Sequence, residues 1–166
     1  MELIDYNGNG RWSRQSILDR YARYANGLKI PHRDLSPREH EKRGRHWVYP
    51  VMDRVIEGIE EDDAACIRIG IEFIEEDTKF PFGKILKSNT ARALRRTRLT
   101  ASQKQQIRCR VFKMLRSGIV PHEFQQYAKL VKKIGFEVQD IGEVPGTSER
   151  VTRFRSYLLD AVKAGT

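Results

Sequence analysis

Residues 50–76 read PVMDRVIEGIEEDDAACIRIGIEFIEE. Up to Glu60 the apolar residues Val51, Met52, Val55, Ile56 and Ile59 recur at three- and four-residue steps, the period of a helix with one buried face. Glu61 and Asp62 break the pattern, and Asp63 is a natural cap for a second helix running to Glu76. That second helix carries Ala64, Ala65, Cys66, Ile67, Ile69, Gly70, Ile71, Phe73 and Ile74, apolar almost all round. A helix of this kind is central and covered on several sides. Two antiparallel helices joined by three acidic residues therefore set the architecture.

The same grammar extends in both directions. Downstream, helices are expected from about Lys84 to Thr97, from the capping box Thr100-Ala101-Ser102-Gln103 to Ser117, from Pro121 to Ile134, and from Ser148 to Ala164. Residues 136–147 read as irregular, with a short strand at Phe136–Val138 left open. Upstream, Ser13 caps a helix to about Asn26, a Pro-punctuated linker covers Leu28–Leu35, and Ser36-Pro37-Arg38-Glu39 combines three helix-start signals before Tyr49-Pro50 stops that segment. No strand of useful length is expected. The fold class is all-α, in a single domain of residues 1–166, with residues 1–35 as an N-terminal helical arm on a helical-hairpin core of residues 36–164.

Helix pairs begin near Pro50, Lys84 and Pro121, intervals of 34 and 37 residues. Over residues 50–164 this spacing resembles the armadillo and HEAT-type α-helical superhelices, at the level of fold and with no shared residue consensus. The resemblance implies stacked αα-hairpins in a short right-handed superhelix; a compact irregular helical bundle is the alternative.

Charge divides the chain. Between Lys79 and Lys133 there are fifteen Lys and Arg against one acid, Glu123, while the remaining sixteen bases face twenty-one acids. Nine of those acids and one base, Arg68, lie between Glu57 and Asp77. Stepping residues at 100° puts Lys84, Lys87, Arg92 and Arg95 on one side of their helix, with Arg96 and Arg98 at its end. Arg110, Lys113 and Arg116 oppose the Ile107–Val111–Leu115 stripe of the next helix, and Lys129, Lys132 and Lys133 share the polar face of the one after. Exposed helix faces usually mix signs to gain i,i+4 pairs, so three basic faces in succession point to an anionic partner. Phe80 and Phe82, beside lysines in a Pro/Gly loop, are candidates for stacking on nucleobases, although such rings more often anchor a loop to the core.

No catalytic residue, metal ligand set or cofactor motif emerges. His32, His40, His46 and His122 lack zinc-site spacing; Gly83-Lys84 is not a phosphate loop, and Gly8-Asn9-Gly10 is a turn. Glu75, Glu76 and Asp77 could supply an acid or base only if one were buried. Cys66 and Cys109 both fall in apolar-periodic segments and read as buried free thiols. No apolar run is long enough for a membrane span, and Met1–Tyr6 lacks the basic and apolar regions of a secretory signal, so the expected compartment is the cytoplasm.

The leading expectation is a non-enzymatic binding module for nucleic acid. The second is an interaction scaffold or self-associating subunit that docks an acidic protein surface, its own residues 57–77 included. The third is a helical-repeat enzyme acting on nucleic acid. What separates the first two is whether the acidic segment neutralises the basic faces.

Overall fold

The stretch 50–76 forms two helices, α2 (Val51–Glu60) and α3 (Ala64–Glu75), in a computed structural model that describes residues 1–76, 80–143 and 148–165. Asp63 accepts from the backbone N–H of Ala65 at 2.9 Å and of Cys66 at 3.0 Å, satisfying two of the donors that a helix start leaves open. Gly58 lets α2 approach α3 closely: a Cβ there would collide with the side chain of Cys66. α3 is buried at Ala65, Cys66, Ile67, Ile69, Ile71, Phe73 and Ile74, as its all-round apolar sequence requires.

Most of the chain is helical. α1 (Arg14–Leu28) precedes the pair, and α4 (Gly83–Arg95), α5 (Ala101–Arg116), α6 (Phe124–Ile134), the single turn α7 (Val138–Ile141) and α8 (Glu149–Ala164) follow it. Ser13 caps α1, and Thr100 and Gln103 close a reciprocal capping box on α5. Each helix packs on the next but one. α2 meets α4, α4 meets α6 and α6 meets α8 in one row; α1 meets α3, α3 meets α5 and α5 meets α7 in the other. The core lies between the rows.

The mostly helical chain is broadly what the all-α reading expects, but residues 36–49 correct the helix expected from Ser36 and the absence of strands. They form a β-hairpin, β2 (Glu39–Lys42) and β3 (Arg45–Val48), and β1 (Glu2–Asp5) pairs parallel to β3, giving a three-stranded sheet of order β1-β3-β2. Arg43 and Gly44 both take positive φ, 51° and 76°, which is the type I′ geometry that matches strand twist. The helix signals at Ser36–Glu39 are local, and pairing with residues forty positions upstream overrides them. The sheet also carries a cap. Asn7, just past β1, accepts from the Val51 N–H at 2.8 Å and so closes α2 at a point where Pro50 offers no side-chain acceptor. At Phe136–Val138 the chain leads into α7 rather than a strand. The expectations placed on Asp77 and Lys79 lie outside the described residues.

Candidate nucleic-acid interface

The acidic helices find their counter-ions in the N-terminal third. Glu72 of α3 accepts from Arg11 at 3.1 Å, from Arg20 at 3.4 Å and from the Tyr24 hydroxyl at 2.6 Å, and Arg68 lies 3.6 Å away. Glu76 takes Arg11 and the Trp12 indole N–H, the latter at 2.6 Å. Glu61 pairs with Arg33, while Glu57 pairs with Arg38 and, at 2.8 Å, with Arg54. Arg20 is only 3% exposed and stands 4.4 Å over the Trp12 ring. Burial, with Arg11 beside it, lowers its pKa. Arg54 and Arg68 lie one helical turn from their acids, but Arg11, Arg20, Arg33 and Arg38 lie nineteen to sixty-five positions away, beyond the reach of any local pattern.

Tyr21 ties the same region together: its hydroxyl donates to Asp63 at 2.7 Å and accepts from the Arg33 N–H at 2.8 Å. Burial, reinforced by Asp63, raises the phenol from 10.0 to about 12. The folded chain thus holds this proton more tightly than the unfolded one, so the contribution is whole below pH 10 and is lost as pH rises toward 12. In thermal melts, Tyr21→Phe should lie below the wild type at neutral pH and converge with it through that window. A constant gap would rule the linkage out.

Most of the bases of residues 84–133 take no part in these ion pairs. Among the described residues, Lys84, Arg92, Arg95, Arg96, Arg98, Lys113, Arg116, Lys129, Lys132 and Lys133 form no ion pair. Glu123, the one acid of the run, is buried at the start of α6. On α4 the outward stripe is Ile85, Asn89, Arg92 and Arg96, with Arg92 bonded to Asn89 at 2.9 Å. On α6 it is Gln125, Lys129, Lys132 and Lys133. These two helices are packed neighbours in one row.

Three of the expected contacts are placed differently. Lys87 is 6% exposed, donates to the Glu76 carbonyl and sits 5.5 Å from the Phe73 ring, so it belongs to the interior and not to the basic face. Arg110 donates to the Ile74 carbonyl at 3.1 Å, and Arg116 to the Asp140 carbonyl at 2.8 Å, so both hold neighbouring elements to α5. α5 lies in the other row from α4 and α6. Phe80 packs edge-on against Phe73 at 5.4 Å and covers Gly8, whereas Phe82 is exposed.

Sequence reading missed the contribution of α8. Lys129 shares a groove of about 360 Å³ with Arg153, Phe154 and Tyr157, and Lys132 stands 5.4 Å from the Tyr157 ring. Arg150, Arg153 and Arg155 recur on α8, a signal passed over because this helix falls after the acidic residues 137–143.

A second groove, about 480 Å³, is lined by Glu75, Ser102, Gln105, Cys109, Arg110 and Lys113 among others. Here Cys109 corrects the expectation of a buried thiol. It is exposed, accepting from Gln105 at 3.4 Å, because α5 buries the Ile107–Val111–Leu115 side; Cys66 is buried as expected. Burial and the neighbouring Glu72 raise the Glu75 pKa, with Arg110 opposing. Glu75 and Cys109 line this same groove. Among the described residues no three of His, Cys, Asp and Glu gather as they would around a metal, and no helix is long and apolar enough to cross a membrane.

Comparison with protein-family models, with curated proteins and with solved structures finds no match.

Proposed function

We propose that this protein binds nucleic acid, without catalysis, through the outward faces of α4 and α6, with α8 extending them. Lys84, Arg92, Arg95, Arg96, Lys129, Lys132 and Lys133 make the phosphate contacts, joined by Arg153. Arg98 flanks this face, while Lys113, in the other row, adds only to the general field. Contacts of this kind give affinity with little sequence selectivity. The two-row packing of next-but-one helices supports stacked αα-hairpins, an architecture that presents extended surfaces to extended partners. Free thiols at Cys66 and Cys109 fit a reducing compartment such as the cytoplasm.

One observation carries the reading: the acidic helices pair with Arg11, Arg20, Arg33, Arg38, Arg54 and Arg68, whereas Lys84, Arg92, Arg95, Arg96, Lys129, Lys132 and Lys133 form no ion pair among the described residues. An acidic surface already paired within its own chain is a poor receptor for the basic face of a second copy. The self-associating reading is weakened to that extent.

The test is the salt dependence of affinity for a mixed-sequence oligonucleotide. With about six phosphates engaged, affinity should fall about a thousandfold between 50 and 200 mM salt through counterion release. No detectable binding at about 50 mM overturns the proposal, and a salt-sensitive dimer in sedimentation in its place restores the scaffold reading.

A further inference from the structure

At the start of α4 three aromatic rings gather on the surface from three distant parts of the sequence. The Tyr6 N–H bonds the Val48 carbonyl at 2.9 Å, continuing the β1–β3 register by one step and setting Tyr6 beside Tyr49 with ring centroids 6.1 Å apart. Phe82 then meets Tyr6 edge-on at 5.0 Å and 71°. Tyr49 is 38% exposed and Phe82 51%.

Phe82 is the telling member. Its φ of 57° and ψ of 20° lie in the left-handed region, where a bulky aromatic residue is disfavoured and glycine is not. As N-cap of α4 its side chain makes no capping hydrogen bond. The chain therefore holds a strained backbone at a site where, among the described residues, the ring makes one aromatic contact and keeps half its surface in water. Strain retained with so little packing in return is a mark of function. The position fits as well. Lys84 and Ile85 follow after Gly83 and are exposed, and the outward stripe of α4 runs on from them to Arg92 and Arg96. From Phe82 to Arg92 is about 15 Å along the helix, roughly four stacked nucleotides at about 3.4 Å each.

We infer that Tyr6, Tyr49 and Phe82 form a base-stacking platform at the head of the α4 basic stripe, and that the nucleic acid bound there is single-stranded; the inference rests on the nucleic-acid reading above. Exposed rings beside a cationic track give a single strand both of the contacts it needs, whereas a duplex keeps its base faces inside its own stack. Phe80, turned into the core, takes no part.

The experiment measures anisotropy of a labelled oligonucleotide of about 12 nucleotides, single-stranded or annealed to its complement, a length within the site sizes of single-strand binders. The wild type should prefer the single strand. Phe82→Gly should weaken single-strand binding about fivefold to a hundredfold and leave duplex binding unchanged, and Phe82→Tyr should retain it. Because glycine relieves the positive φ, Phe82→Gly should melt no lower than the wild type, which a mere packing role would not allow. Equal binding of the two probes by the wild type, or equal losses for both in Phe82→Gly, overturns the platform while the nucleic-acid reading stands. Absence of binding to either probe at about 50 mM salt removes both.

Discussion

Glu72→Ala is expected to cost about 3–5 kcal/mol of folding stability, the range measured when one member of a buried ion pair is removed. The physical reason is Arg20. Arg20 is 3% exposed; Glu72 is its ion-pair partner, the Arg11 carbonyl accepts from it and the Trp12 ring lies beneath it. Without Glu72 it is a buried charge that has lost its ion-pair partner and keeps only the weaker pull of Glu76, and the Tyr24 hydroxyl loses its acceptor in the same step. At about 2–4 °C per kcal/mol for a chain of this size, the melting temperature should drop by about 10 °C. A second substitution separates the cost of the orphaned charge from the cost of lost packing. Arg20→Met in the Glu72→Ala background should recover a large part of the loss, since an apolar residue of similar volume asks for no counter-ion. A Glu72→Ala variant within about 1 kcal/mol of wild type would mean that apolar contacts alone hold α1 to α3, and that the pairing is incidental.

How much of this was legible in the sequence follows from the range of each interaction. α2, α3, α5 and α6 could be read because their signals are local: Asp63 and Thr100 cap within three residues, and the apolar stripes repeat within one helix. The hairpin at 39–48 could not, since its strands are charged and largely exposed, and what selects them is β1, whose Glu2 stands opposite Arg45. The only local clue was Arg43-Gly44. Lys87 was misplaced because helical projection assigns a charge to the polar side whatever packs there, and α3 covers that side. The basic run was legible as a count, and the stripes of α4 and α6 as faces. The platform was not, for Tyr6 and Tyr49 meet Phe82 only through the sheet that the sequence did not disclose.

The division of charge between the two rows yields the largest effect on binding. Reversing Arg92, Arg96, Lys132 and Lys133 together to Glu should lower affinity for a single strand by roughly a thousandfold at about 0.1 M salt, and should reduce the salt slope by about 3.6. Each lost phosphate contact removes about 0.9 from the slope, and so nearly a factor of ten at about 0.1 M. Stability should barely change, because these four side chains form no ion pair with any described residue and are exposed. A melting temperature within a few degrees of wild type checks that point, since exposed charges contribute at most about 1 kcal/mol each. The comparison that gives the result its meaning is Lys104→Glu with Lys113→Glu on α5, in the other row. If the interface is the face shared by α4 and α6, this pair acts only through the general field and should cost less than about tenfold, and less still as salt shortens its reach. Equal losses per charge on both rows would mean that the excess of base attracts anions without a defined face. That outcome would remove the interface while leaving the field, because a screened long-range attraction cannot distinguish one side of a protein from the other whereas a set of contacts must.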